Sequence, residues 1–387
     1  MKTSFLIGLV IIGTWSCQSK SESSSKTIKD TTQVVTARKP SLDSSQIKKY
    51  HDVIEANLTG FLRWGRFNGG ILVAKNGTIV YENYVGYKDV RSKELMTSST
   101  PLQIASTSKP FTGMAILKLV QQGKLQLGTS MEALFPGFPY PGITVKMLLN
   151  HRSGLPNYIY YLDKGGWDKK VFLTNADVLQ TLFTLKPPRA ANPDRKFTYC
   201  NTNYVLLALI IEKISGQRYP DYLRDNIFKP LQMNDTFVYS LTDTSNVAMS
   251  YKANGGIWQM DHTDGPYGDK NIYSTPRDLL KWDQAMYTNM VVNEALKDSA
   301  YIPYSNERPS VHNYGLGWRL LFPKNGKKIV YHNGHWHGFN SAFARLVDDD
   351  ATIIILGSKY NSSIYTTARK LYNIFGNYDD KGAQLLE

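Results

Sequence analysis

The stretch Gln103-Ile104-Ala105-Ser106-Thr107-Ser108-Lys109-Pro110-Phe111 decides how this chain is read. A loop-like segment, 101–105, gives way there to a strongly amphipathic run over 111–120, so the stretch predicts the start of a helix. Ser106 and Lys109 stand at i and i+3 and share a helical face, which lets the lysine amine reach the serine hydroxyl and take its proton. A helix N-terminus also leaves unpaired backbone N–H groups beside the serine, where negative charge on an acyl tetrahedral intermediate needs donors. Ser106 is therefore a candidate nucleophile. Alone, S-x-x-K recurs by chance, and the competing reading makes Ser106 an N-cap and Lys109 a solvated helix residue.

Working outward, 387 residues with 42% hydrophobic content suffice for a sizeable core, and no internal repeat is visible. Residues 1–16 carry Lys2 and then an apolar run over 5–13, which reads as a secretory signal. Thr14-Trp15-Ser16-Cys17 resembles a bacterial lipobox, with Trp15 its unusual member, so Cys17 is the expected lipidation site. Residues 17–46 are rich in Ser, Thr and Lys and read as a lipid-anchored flexible tether. Beyond it no apolar run approaches the roughly 20 residues needed to span a bilayer. The expected state is an exported lipoprotein facing the periplasm or cell surface, with the membrane as a partner through its anchor. The net charge of +13 is spread over 45 basic residues without a dense basic block, which argues against a nucleic-acid partner. If Cys17 is lipidated or removed, Cys200 is the only thiol left and makes no internal disulfide.

Residues 47–65 predict an amphipathic helix, and 69–74 with 78–85 around Asn76-Gly77 predict a two-residue hairpin. Strands are expected near 317–322, 327–332, 340–347 and 352–357, then a last helix over 363–375. Between these ends, 101–290 reads mainly helical, with helices over 175–185, 203–215 and 276–288. The expected architecture is α/β of the α+β kind: an antiparallel sheet built from both termini and flanked by helices, with a mainly helical region inserted. The hydrolase-like domain is expected over 47–377, with 378–387 as a tail.

Two further motifs change the weight of Ser106. Tyr199-Cys200-Asn201 precedes an apolar helix and presents a phenol and an amide two residues apart, on one side of an extended segment. His332-Asn333-Gly334 ends an expected strand, and its glycine permits close approach of a substrate backbone to that edge. In that order, S-x-x-K, Y-x-N and H-x-G form a much rarer pattern than any one of them. The chain here resembles the serine beta-lactamase and penicillin-binding protein superfamily, in its class C-like branch. The resemblance extends over about 49–375 and includes Phe67-Asn68-Gly69-Gly70, His151-Arg152-Ser153-Gly154-Leu155, Ser274-Thr275-Pro276-Arg277-Asp278-Leu279 and Tyr314-Gly315-Leu316-Gly317-Trp318. Those segments are architectural and say nothing of substrate.

The resemblance implies that Ser106 attacks a carbonyl, that Lys109 takes or relays its proton, and that Tyr199 is the partner base that later protonates the leaving group. It implies that Asn201 positions substrate and lysine, and that the oxyanion is held by the N–H groups of Ser106 and of His335, the residue after Gly334. No cofactor or metal is implied. Lysine and tyrosine both titrate near 10 in isolation, so one of the two must be perturbed to act as base. The third motif departs from that of good penicillin binders: His332 stands where a lysine usually pairs with the substrate carboxylate, which weakens the clamp. Within Y-x-N, Cys200 replaces the common serine, with packing its expected role. His332, His335 and His337 raise a metal reading, because His335 and His337 would share a strand face, yet no carboxylate completes a ligand set nearby. Tyr158, Tyr160, Tyr161, Trp167 and Trp336 either line the cleft or pack the helical region.

The expected function is an exported serine hydrolase that cleaves a small-molecule or peptide ester or amide, cell-wall peptides included, through an acyl-serine. The enzyme alternatives are a penicillin-binding D-Ala-D-Ala carboxypeptidase or endopeptidase and a weak class C-like beta-lactamase. The non-enzyme alternative is a sensor or scaffold that binds beta-lactams or wall peptides without turnover.

Overall fold

The computed structural model describes residues 40–241 and 247–378. The first helix, α1 (Ser44–Leu62), opens on a capping box in which Asp43 accepts from the Gln46 N–H at 2.8 Å and Gln46 reciprocates at 3.0 Å. It begins three residues before the expected boundary because Asp43 caps it. The hairpin follows as β1 (Gly69–Lys75) and β2 (Thr78–Val85), with Asn76 and Gly77 at φ 51° and 73°. Two left-handed residues match the twist of the strands, which is why Asn-Gly stands there.

The inserted region supplies α2 (Lys109–Gln121), α3 (Asn175–Leu185), α4 (Asn201–Ser215) and α5 (Pro276–Ala285). The chain then returns to the sheet with β3 (His312–Tyr314), β4 (Arg319–Leu321), β5 (Ile329–Trp336), β6 (Phe339–Leu346) and β7 (Ala351–Gly357), and ends on α6 (Ser363–Tyr372). The seven strands run antiparallel in the order β2-β1-β7-β6-β5-β4-β3. The sheet built from both ends of the chain, with a helical insertion, is as the sequence predicts.

Both faces of the central strands are covered, so β7 reads as a continuous apolar run rather than an alternation. Ile354 and Leu356 pack with Phe111, Met114 and Trp282 of the inserted region, whereas Ile353 and Ile355 pack with Ile54 of α1 and Ile364 and Leu371 of α6. Tyr378, expected in the tail, is 5% exposed and belongs to that second core. No helix among the described residues is long and apolar enough to cross a membrane. The expected signal segment and Cys17 lie outside the described residues.

Two expectations are corrected. Strand β5 does not end at H-x-G but runs on to Trp336, because β6 pairs with it as far as Trp336 opposite Phe339. His337 therefore leaves the strand, at φ 51° in the turn before Gly338, and does not share a strand face with His335.

Candidate active site

Ser106 lies on a 3-10 turn, Ala105–Ser108, that feeds directly into α2 at Lys109. Ala105 is held at φ 48°, a conformation that costs a non-glycine residue energy and needs surrounding structure to maintain it. The neighbouring contacts provide that structure. Ile104 O accepts from Thr107 N at 3.0 Å and from Ser341 Oγ at 2.7 Å, and Thr107 Oγ1 meets Ser341 Oγ at 2.8 Å. A Cβ added to Gly334 would fall 2.3 Å from Ile104 O and 2.9 Å from Ser106 N. Only glycine lets β5 lie against the backbone of the serine turn, and this brings the segment from Gly334 to His335 beside the Ser106 amide.

Lys109 is fully buried. Its Nζ donates to Ser106 Oγ at 3.0 Å and to the Asp269 carbonyl at 2.8 Å, and lies 5.0 Å from the centre of the Tyr199 ring. Ser106, Tyr199, Asn201, Gly334 and His335 all line one cavity of about 660 Å³. Asn201 is the first residue of α4, which starts two residues earlier than the sequence suggested, and its Oδ1 has no hydrogen-bond partner among the described residues. Behind Tyr199, the His151 ring packs at 4.3 Å between centres, and His151 Nδ1 accepts from the Cys200 N–H at 3.1 Å. That contact fixes the Y-x-N segment from the rear.

His332 is not on the cavity wall. It is wholly buried, its Nδ1 donates to the Asn333 carbonyl at 2.7 Å, and its Nε2 is left to accept from Tyr314 OH at 3.1 Å. Burial first, then the charges of Arg319 and Lys109, hold its pKa well below the usual 6.5, so it is a neutral structural imidazole. The cation in the cavity is instead Arg319 of β4, whose guanidinium carbon sits 5.3 Å over the Tyr199 ring. Sequence reading missed Arg319, and the signal for it was weak: a basic residue next to Gly317-Trp318 at the start of a short strand.

The three histidines do not converge. The His335 ring lies tilted against Tyr360 at 5.3 Å between centres, and His337 Nε2 meets Asp264 Oδ2 at 2.9 Å. Among the described residues, one group has metal-ligating atoms within 4.8 Å of each other: Asp261, Asp264 and His337. Asp264 is already engaged there, accepting from Trp336 Nε1 at 2.5 Å as well as meeting His337. Of the aromatic run, Tyr160 and Trp336 line the cavity, Tyr158 is buried behind it, and the Trp167 indole donates to the Val171 carbonyl. Cys200 is buried, and burial pushes its thiol up to about 11, which keeps it protonated and unreactive.

A serine on a strained turn, a buried lysine on its hydroxyl, and a tyrosine and an amide on the facing helix start, beside an antiparallel sheet, define the fold of serine beta-lactamases and penicillin-binding proteins. The chain belongs to the beta-lactamase family, whose signature matches residues 54–372. It is 33% identical over 320 residues to penicillin-binding protein 4* of Bacillus subtilis, covering 78% of this chain and 70% of that protein. It is 29% identical over 340 residues to protein flp of Staphylococcus aureus, covering 82% of this chain but only 61% of flp. A crystal structure of a penicillin-binding protein from Bacillus halodurans shares the fold at TM-score 0.72 and 22% identity, over 82% of this chain and 97% of that one.

Proposed function

We propose that the protein is a serine hydrolase that cleaves an ester or amide bond through an acyl-Ser106 intermediate. The observation that carries this reading is the fully buried Lys109 Nζ 3.0 Å from Ser106 Oγ, behind a cavity that Ser106 lines together with Tyr199 and Asn201. Ser106 Oγ attacks the carbonyl carbon and its proton passes to the Lys109–Tyr199 pair. The developing oxyanion is taken by the N–H groups of Ser106 and His335, which the Gly334 contact brings together. Tyr199 returns a proton to the leaving group, and water then hydrolyses the acyl ester. Asn201 Oδ1, without a hydrogen-bond partner among the described residues, is available to a substrate N–H.

The test is intact-mass analysis and turnover with nitrophenyl esters and with penicillin. An adduct on Ser106 with catalytic nitrophenol release is expected, and Ser106→Ala should lower kcat by on the order of a thousandfold or more. Turnover that survives Ser106→Ala sinks the mechanism.

A second reading, a carboxypeptidase acting on wall peptides, is favoured by Arg319: a cation in the cavity suits a substrate carboxylate, the role that His332 leaves empty. Stable acylation by penicillin would select it, and rapid ester turnover without penicillin acylation would reject it. The proposal includes export and lipid attachment at Cys17, supported by the apolar run over residues 5–13 that leads to Thr14-Trp15-Ser16-Cys17. Incorporation of labelled palmitate should be lost in Cys17→Ala; no label in the unaltered protein would reject the anchor.

A further inference from the structure

Lys270 is a buried cation to which the acyl-transfer steps assign no task. Its side chain is 3% exposed beside that of Asp269, 1% exposed, just before the short strand Ile272–Ser274. Lysine seldom reaches such burial unless paired. Lys270 Nζ lies 3.6 Å from Asp269 Oδ2 and donates to Tyr158 OH at 2.5 Å, and Tyr158 OH donates to Asp269 Oδ2 at 3.1 Å. The arrangement is incomplete for a purely stabilising pair, since Asp269 Oδ1 has no hydrogen-bond partner among the described residues. Desolvation offsets the attraction of a buried pair unless hydrogen bonds satisfy what remains.

The backbone of Asp269 supplies the connection to chemistry. Its carbonyl accepts from Lys109 Nζ at 2.8 Å, and the same Nζ also hydrogen-bonds Ser106 Oγ. The residue whose carboxylate Lys270 holds is thus the residue whose carbonyl aims Lys109. The Lys270 ammonium also lies behind both walls of the cavity. It sits 4.7 Å from the centre of the Trp336 ring on one wall. On the other, its partner Tyr158 immediately precedes the lining residues Ile159 and Tyr160, and the Tyr158 N–H donates to Thr202 Oγ1 at 2.8 Å, next to Asn201.

We infer that Lys270 is a positioning residue: by neutralising Asp269 and tying Tyr158 to Trp336, it fixes the Asp269 carbonyl that directs Lys109 at Ser106. The inference rests on the reading that Ser106 and Lys109 carry acyl transfer. Lys270 acts through Asp269 and touches no reacting atom. The groups facing it are Asp269 and Tyr158, with Asp264, Asp261 and Lys109 beyond them.

The experiment replaces Lys270 in the full chain and follows nitrophenyl acetate hydrolysis, Ser106 acylation by intact mass, and thermal melting. In Lys270→Met, kcat should fall about tenfold to a hundredfold, the loss that a misplaced catalytic group brings. KM should stay within about twofold, because Lys270 itself does not line the cavity. The acidic limb of the pH–rate profile should move to higher pH, since the lost charge no longer opposes protonation of its neighbours. Lys270→Arg, which keeps the charge, should regain part of the rate. A folded Lys270→Met protein with unaltered kcat and pH profile overturns the inference. Should Lys270→Met not fold, Lys270→Gln, which keeps a donor for Tyr158, is judged by the same criteria. If that variant also fails to fold, the role is structural and the inference falls. An unaltered protein that never forms an adduct on Ser106 overturns the acyl-serine reading and this inference with it, and is told apart because the defect appears before any substitution.

Discussion

Among the described residues two acid–base pairs are almost wholly buried, Asp283 with Arg345 and Asp269 with Lys270, and they are built to opposite standards. Arg345 Nε donates to Asp283 Oδ1 at 2.6 Å, and Oδ2 accepts from Thr352 Oγ1 at 2.7 Å and from the Gln284 amide at 2.7 Å. Tyr301 OH takes another Arg345 N–H at 2.8 Å. Both oxygens of Asp283 are engaged, and the pair bolts α5 to β6 and β7. The Asp269 pair is wider, leaves one oxygen idle, and sits behind Ser106. A satisfied pair specifies packing, whereas polar groups buried at less than full satisfaction concentrate where function demands them.

The contrast can be broken most sharply at Asp283. Asp283→Ala strands the Arg345 guanidinium and should cost about 3–5 kcal/mol of unfolding free energy. The kcat of the protein that remains folded should be unchanged, the reverse of the Lys270→Met outcome. Denaturant unfolding and active-site titration measure the two quantities separately. Unaltered stability, or a lowered kcat per folded molecule, would erase the distinction between the pairs.

A smaller effect sharpens the same distinction by pH. His151 and His332 are both buried behind Tyr199, away from the cavity surface, and both are held well below their usual pKa. Burial is the main cause, aided by the Lys109 charge for His151 and the Arg319 charge for His332. The folded protein keeps them neutral where the unfolded chain, titrating near 6.5, takes up protons. Stability from this source is present above that value and is lost as pH falls below it, by up to about 1.4 kcal/mol per pH unit for each histidine. Unfolding curves between about pH 8 and pH 5 should show this slope. His332→Gln should remove its share, and Asp283→Ala should keep both. An unchanged slope in His332→Gln would refute the buried neutral assignment.

What could be read from sequence was what lies in local spacing. Ser106 and Lys109 share a helical turn, Tyr199 and Asn201 are two residues apart, and the Asn76-Gly77 turn and the apolar run of β7 name their own geometry. What could not be read depends on tertiary burial. Gly268-Asp269-Lys270-Asn271 looks like a solvated loop by composition, because Asp and Lys are seldom buried. The available hint was that Ile272 and the helix-capping Thr275 follow at once, which leaves little chain for a surface excursion. Arg319 escaped because no fixed spacing links it to Ser106; it reaches the cavity only because β4 lies beside β5. His332 is absent from the cavity because pairing with β6 carries the strand past H-x-G and leaves that side chain in the interior.

The register of β1 has a bearing on how the chain becomes a protein at all. Gly69 pairs with Gly357 and Lys75 with Ala351, so the centre of the sheet joins two segments separated by almost the whole folded length. Until the final strand emerges from the ribosome, β1 carries a row of unmatched amides flanked by Ile71, Leu72 and Val73, the kind of edge that recruits other chains. Early synthesis therefore cannot complete this sheet, and the nascent chain has to be kept apart from its neighbours until β7 is made.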